Sequence, residues 1–171
     1  ARGDTRFPLS IKGSRLNLAD RDTLVVMLQD LTEARRLQQN AQRYQALVES
    51  SNDAIAAKTL DGIVTSWNAG AERMFGYRAD EMIGDTLLKL FLPEQRSDEA
   101  RILQSIRDGV RVNHFEAVRV RKDGTTIDVS VTVSPIHDHQ GNVTGISKIA
   151  RDITDRKRIE QVKNEFVSTV S

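Results

Sequence analysis

Cysteine is absent from the 171 residues. That excludes disulfides, thiolate nucleophiles, and zinc or iron–sulfur sites held by cysteine. Long apolar runs are absent too, and none approaches the roughly 18–20 residues that a membrane-spanning helix needs. Aromatic residues make up only 5% of the chain, and none interleaves the basic clusters Arg35-Arg36 and Arg156-Lys157-Arg158. With Glu33, Asp155 and Glu160 alongside, these clusters read as solvated helix faces, and no nucleic-acid contact is expected. Neither a phosphate loop, a glycine-rich fingerprint nor a nucleophile elbow occurs, so no catalytic residue is assigned and this segment is not expected to be an enzyme. His137 and His139 sit in a polar loop without a carboxylate–histidine constellation of ligand spacing, and no metal site is expected.

What the chain does contain is a repeat. Lys148 to Ile159 begins as an apolar strand, turns at Asp152-Ile153-Thr154 and leaves as a charged segment with helical spacing. A worn copy lies 122 residues upstream, where Asp30, Leu31, Thr32, Arg36 and Leu37 match Asp152, Ile153, Thr154, Arg158 and Ile159. Further upstream the match continues at an offset of 120, laying Thr5–Ile11 over Thr125–Val131. The two-residue difference falls in a hairpin loop, where length changes are tolerated. The chain therefore reads as an excerpt. Residues 1–32 are the last strands of a preceding module, 33–49 a connecting helix, 42–156 one complete module, and 157–171 an outgoing helix.

Within the first piece, residues 5–11 and 23–28 have strand character and Asn17–Asp22 reads as a loop. From Leu31 to Val48 the pattern is helical. Ala34, Leu37, Ala41, Tyr44 and Val48 fall at 3-4-3-4 spacing, which suits an amphipathic helix lying on its own domain or a parallel dimeric coiled coil. Two short strands, 54–58 and 63–67, flank Asp61-Gly62, a strong hairpin signal. A short helix follows with Asn68 placed to cap it and Gly76 to end it, then another over 79–84. A longer helix is expected at 95–108, with Ala100, Leu103 and Ile106 on one face and Gly109 as its stop. Strands at about 113–121, 125–136 and 143–151 complete the order. Segregated strands and helices imply an α+β fold, with short helices on one face of an antiparallel sheet. On the outgoing helix, Ile159, Val162, Phe166 and Thr169 form a second amphipathic, coiled-coil-like seam.

Five stretches, in order and in register, now carry a resemblance: Asp61–Asn68, Ala71–Tyr77, Asp80–Gly84, Arg121–Gly124 and the Asp152–Thr154 exit. Over residues 44–156 the chain resembles a PAS domain. The resemblance implies a five-stranded antiparallel sheet cupping a helix-lined pocket, in a sensory or relay module that signals through flanking helices. The final Val162–Ser171 resembles the run entering the dimerisation helix of a sensor histidine kinase. The expected setting is thus a cytoplasmic part of a multi-PAS sensor histidine kinase, homodimeric through its flanking helices, beside neighbouring PAS and kinase domains. The alternatives are a ligand-free dimerisation module with a filled core, or a PAS domain attached to a cyclic-dinucleotide cyclase or phosphodiesterase.

Without cysteine the family's covalent flavin adduct and thioester-linked chromophores are excluded. Haem is not expected either, because residues 86–109 hold no histidine. Non-covalent flavin or a small metabolite remains open as a ligand. The pocket candidates are Ile55, Trp67, Asn68, Met74, Phe75, Leu90, Phe91, Ile102, Val131, Lys148 and Ala150. Trp67 could stack on a flat ligand or serve as a core aromatic. Lys148 interrupts the apolar run 145–150, and strand alternation sets it on the face of Ala150. A lysine there needs a counter-charge. An internal pair with a carboxylate such as Glu116, or a solvated tip, is expected ahead of an anionic ligand. Glu81 and Lys122 are expected to form a surface ion pair. Asp152, Ile153 and Thr154 are expected to form the signal-coupling hinge, with Arg156 as partner to Asp152.

Overall fold

The computed structural model describes residues 8–18, 21–107 and 114–170. The chain divides into two compact units, Ala1–Leu47 and Val48–Ser171. In the first, β1 (Leu9–Leu18) and β2 (Arg21–Asp30) form a two-stranded antiparallel ladder, with Leu9 opposite Asp30 and Leu18 opposite Arg21. The loop expected over Asn17–Asp22 is instead mostly ladder, since Asn17 pairs with Asp22. Polar side chains do not end a strand when the partner strand satisfies the backbone. The part of the repeat at Thr5–Phe7 lies outside the described residues. Helix α1 (Thr32–Ser50) follows and buries none of its residues. Leu37, Tyr44 and Leu47 are 64%, 69% and 60% exposed.

The second unit is a five-stranded antiparallel sheet. Its strands are β3 (Ala54–Thr59), β4 (Val64–Trp67), β5 (Phe115–Val120), β6 (Thr126–His137) and β7 (Val143–Asp152), in the spatial order β4-β3-β7-β6-β5. Alternation works as the sequence implies. On β6, Ile127, Val129, Val131 and Val133 are buried while Thr132 and Ser134 face out. The segment between β4 and β5 supplies the other half of the core from α2 (Ala69–Phe75), α3 (Ala79–Met82), 3-10 turns at Leu87–Leu90 and Pro93–Gln95, and α4 (Arg96–Arg107). Phe75, Met82, Leu90, Phe91, Ile102 and Ile106 pack with the inward residues of the sheet. Helix α5 (Thr154–Val170) then leaves β7, with Ile159, Val162 and Phe166 between 60% and 70% exposed.

Two details differ from the sequence reading. Helix α3 ends at Met82, two residues early, with Gly84 taking a left-handed φ of 88° just beyond it. On α4 the buried face is Glu99, Ile102 and Ile106, while Ala100 is exposed and Leu103 only partly covered. Glu99 turns inward because Lys58 and Lys148 meet its carboxylate there. Gly109 lies outside the described residues.

Asn68 fixes the junction of β3, β4 and α2. Its Oδ1 accepts from the backbone N–H of Ile55 (2.9 Å) and of Ala71 (2.8 Å), the latter being the helix cap. Its Nδ2 donates to the carbonyls of Val48 (2.8 Å) and Asp53 (3.2 Å). The approach of α2 is so close that a Cβ on Gly70 would lie 2.3 Å from the Asp53 carbonyl oxygen. Truncating Asn68 would take this partner from the Ile55 and Ala71 N–H groups and the Asp53 carbonyl, while the Val48 carbonyl keeps the Ser51 N–H (3.3 Å), and each buried loss costs about 1–3 kcal/mol. Asn68→Ala is therefore expected to lower the unfolding free energy by about 3 kcal/mol or more, read from urea denaturation. A change below about 1 kcal/mol would show that water replaces the amide.

Candidate functional site

A cavity opens between the sheet and the 3-10 turns because three inward positions are alanine. Ala54 pairs across to Ala150, which pairs to Val131; one step along, Ala56 pairs to Lys148, which pairs to Val133. Ala54, Ala56 and Ala150 line the space together with Val129, Val131, Trp67, Phe75, Leu87, Leu90 and Phe91. Two cations, Arg119 and Lys148, complete the lining. The centres of water molecules can occupy about 40 Å³ of it, room for a few waters. That suits a ligand of a few heavy atoms.

Seven of the eleven pocket candidates meet here: Trp67, Phe75, Leu90, Phe91, Val131, Lys148 and Ala150. Trp67 is buried, donates its indole N–H to the Tyr77 carbonyl (2.9 Å), and lies with its ring 5.8 Å from that of Phe75. The other four lie elsewhere. Ile55 alternates away from the inward Ala54 and Ala56, the Asn68 amide is held by backbone, Met74 is partly buried at the edge of the core, and Ile102 is core off the cavity wall.

Beside the cavity four charged side chains are buried. Glu99 on α4 accepts hydrogen bonds from Lys58 of β3 and from Lys148 of β7, one at each carboxylate oxygen. Arg119 of β5 is 6% exposed. The counter-charge of Lys148 is thus Glu99 and not Glu116, because alternation on β5 turns Ala117 and Arg119 inward and Glu116 out to solvent. Burial opposes ionisation of Glu99, but Lys148 and then Lys58 outweigh it and hold the carboxyl below its usual range. Burial pulls Lys148 down to about 8, against the attraction of Glu99 and with help from the repulsion of Lys58 and Arg119. Burial also lowers Arg119 from its ordinary value.

At the exit, Asp152 Oδ1 accepts the Thr154 N–H (2.9 Å), Ile153 is buried with its N–H on the Asp128 carbonyl (3.0 Å), and the Lys157 N–H returns to the Ile153 carbonyl (3.0 Å). The upstream copy repeats this bond for bond. Asp30 Oδ1 accepts from Thr32 N–H (2.8 Å), Leu31 N–H donates to Pro8 (2.9 Å), and Arg35 N–H donates to Leu31 (2.9 Å). Arg156 pairs with Glu116 rather than Asp152, and Lys157 reaches Asp128 at 2.7 Å and Glu116 at 3.5 Å. Asp152 is occupied by the turn's own backbone, which leaves the first helical turn free to grip the neighbouring strands. Glu81 and Lys122 do pair on the surface, and Lys122 lowers the Glu81 carboxyl from its ordinary value.

The family model for the PAS fold matches residues 42–153, about two thirds of the chain. The chain belongs to the PAS family. Two-component system protein A of Emericella nidulans is 33% identical to it over 143 residues, covering 75% of this chain and 20% of that protein. The signal transduction histidine-protein kinase AtoS of Escherichia coli is 30% identical over 115 residues, covering 67% and 18%. The crystal structure of a PAS domain from Colwellia psychrerythraea matches with a TM-score of 0.61 at 25% identity, over 70% of this chain and 98% of that one. The chain spans about a fifth of the length of the curated relatives it matches. Among the described residues no helix is long and apolar enough to cross a membrane.

In this PAS domain the sequence reading missed Lys58, Glu99 and Arg119. Signals for all three existed. Lys58 shares the alternation of Ala54 and Ala56, Arg119 that of Phe115 and Ala117, and Glu99 lies three and seven residues before Ile102 and Ile106. Removing the Glu99 carboxylate strands two buried lysines, a loss of about 3–5 kcal/mol. Glu99→Gln is expected to cost that much in urea denaturation at pH 7, while Glu116→Gln leaves the midpoint nearly unchanged. Lys148 gives a pH signature. Between about 8 and 10.5 the unfolded chain keeps a proton that the folded chain has released. Unfolding therefore takes up a proton, and stability rises with pH across that window by up to about 1.4 kcal/mol per pH unit. Lys148→Met should flatten this rise; an unchanged slope would show that Lys148 titrates normally.

Proposed function

We propose that this PAS domain is a sensory or relay module of a sensor histidine kinase and that it signals by re-pitching α5. The carrying observation is the exit turn, built twice with the same three hydrogen bonds, one to the Asp carboxylate and two within the backbone, at Asp30-Leu31-Thr32 and at Asp152-Ile153-Thr154. A strand that leaves its sheet through the same hydrogen-bonded turn before each helix is what tandem modules in series require. Residues 1–32 are then the end of a preceding PAS domain, 33–49 the connector, and 157–171 the lead into a kinase dimerisation helix. The kinase names among the relatives support that output. The setting is cytoplasmic, on the side of the phosphotransfer chemistry.

The exposed apolar seams of α1 and α5 support a parallel dimer. Leu37 and Tyr44 on one helix, and Ile159, Val162 and Phe166 on the other, recur at coiled-coil spacing and lie more than half exposed. Signalling then amounts to a population shift between two pitches of these helices, biased by the cavity or by the preceding module. A few kcal/mol of differential interaction suffices to move such an equilibrium.

Two measurements test this. In the full-length protein, Asp152→Ala should make autophosphorylation insensitive to input, while the thermal midpoint of the isolated chain moves by only a few degrees. Wild-type regulation in that variant would sink the hinge. By analytical ultracentrifugation the chain should sediment as a dimer, and Tyr44→Asp with Phe166→Asp should bring it to monomer. A wild-type monomer at tens of micromolar would refute dimerisation through these helices.

A further inference from the structure

The buried charges do not balance. Lys58, Lys148 and Arg119 are 1%, 8% and 6% exposed, and Glu99 is the one acid buried among them in the described residues. Glu99 serves both lysines. Arg119 Nη1 donates to the Gln95 side-chain oxygen (3.2 Å) and to the Val118 carbonyl (2.8 Å), both neutral. No carboxylate hydrogen-bonds Arg119 among the described residues; Glu99, already shared by the two lysines, and Asp98 attract it only through space. A guanidinium has five donors in a planar fork, suited to a bidentate oxyanion.

The surplus has a definite location. Arg119 Cζ lies 4.0 Å and Lys148 Nζ 5.7 Å from the centroid of the same Phe91 ring, and both residues line the alanine-walled cavity. The ring supplies some stabilisation to each cation, but a ring carries no net charge and leaves the excess in place. Two desolvated cations facing one small cavity are a costly arrangement in an empty domain. It becomes favourable when an anion enters.

We propose that the cavity binds a small organic carboxylate, its oxygens received by Arg119 and Lys148 and its short alkyl body lying against Ala54, Ala56 and Trp67. The inference rests on the reading of this domain as a sensor and names the chemical class sensed. The size follows from the few-heavy-atom space. The apolar part follows from the rest of the lining, which is alkyl and aromatic and offers no hydroxyl. An inorganic phosphate would bring no group for the alkyl wall and would set all of its oxygens against a lining that is mostly apolar. The output follows from chain order, because Lys148 lies on β7 only four residues before Asp152. An arriving carboxylate competes with Glu99 for Lys148. It thereby loosens α4 from the strand that carries the hinge.

The test uses the full chain at pH 7 and constant ionic strength, with thermal midpoint and titration calorimetry as readouts. Sodium acetate, propionate, butyrate and pyruvate are titrated, with acetamide, propionamide, butyramide and inorganic phosphate as controls. At least one carboxylate should raise the midpoint saturably, and neither the amides nor phosphate should do so. Arg119→Gln and Lys148→Met, each checked for native circular dichroism, should weaken that carboxylate at least tenfold. Should one variant fail to fold, the other carries the comparison. No saturable response to any of the four acids, an equal response to amide or phosphate, or undiminished binding in a folded variant overturns the proposal. Asp152→Ala separates the two readings, since it should bind the carboxylate with wild-type affinity while output is lost. Absent binding together with a working hinge overturns the ligand class alone; intact binding with regulation unaffected by Asp152→Ala overturns the relay alone.

Discussion

One carboxylate holds two buried lysines, and much of the domain's geometry answers to it. Glu99 ties α4 to β3 through Lys58 and to β7 through Lys148, which fixes the helix over the sheet where apolar packing alone would let it slide. Hydrophobic contact is non-directional, whereas a carboxylate with one lysine on each oxygen sets both rotation and register. The same pairing explains why α4 turns Glu99, Ile102 and Ile106 inward and leaves Ala100 exposed. Burying such a cluster is seldom the most stable solution for a core. Its retention makes sense where the site must respond to charge.

The fold was legible wherever local chemistry decides structure. Asn68 and Gly76 bound α2 as cap and stop because side-chain acceptance and a left-handed φ of 79° are local requirements. The β6 alternation names its own buried face, and the Asp-x-Thr repeat marks the exit turn in the sequence itself. The cavity was partly legible, because Trp67, Val131, Lys148 and Ala150 follow from alternation and family position. What stayed hidden were pairings between distant elements. Lys58 and Glu99 are 41 residues apart in sequence and Lys148 and Glu99 are 49, and no local pattern couples them. Charged residues were also read as outward by default, which is sound for most surfaces and fails where opposite charges meet in a core. The choice of Glu116 as partner for Lys148 failed for this reason. Its own alternation already put it with Arg156 and Lys157 outside.

Entry and exit of the domain lie close enough to be held by common side chains. Asp53, just after α1, receives the Arg151 guanidinium as a fork at 3.1 and 2.8 Å, and Arg151 immediately precedes Asp152 of the exit turn. Asn68 ties the carbonyl of Val48, in the last turn of α1, to the start of α2. Arg156 and Lys157 in the first turn of α5 grip Glu116 and Asp128 on β5 and β6. A change of pitch in either helix must break or remake polar contacts at discrete positions, which is the condition for a two-state device rather than a continuously bending one.

In the proposed relay the cavity acts through β7. Lys148 faces Glu99, Arg119 and the cavity, while the same strand ends in Arg151 and Asp152 at the exit turn. Strand residues of even separation share a face, so the Lys148–Ala150–Asp152 row carries a displacement at the cavity along one ridge. A ligand that fills the alanine-walled space without disturbing Glu99, and that meets both pitches alike, has equal affinity for them. Such a ligand shifts nothing however tightly it binds. A charged one cannot avoid competing with Glu99, and that competition is the differential interaction a sensor needs.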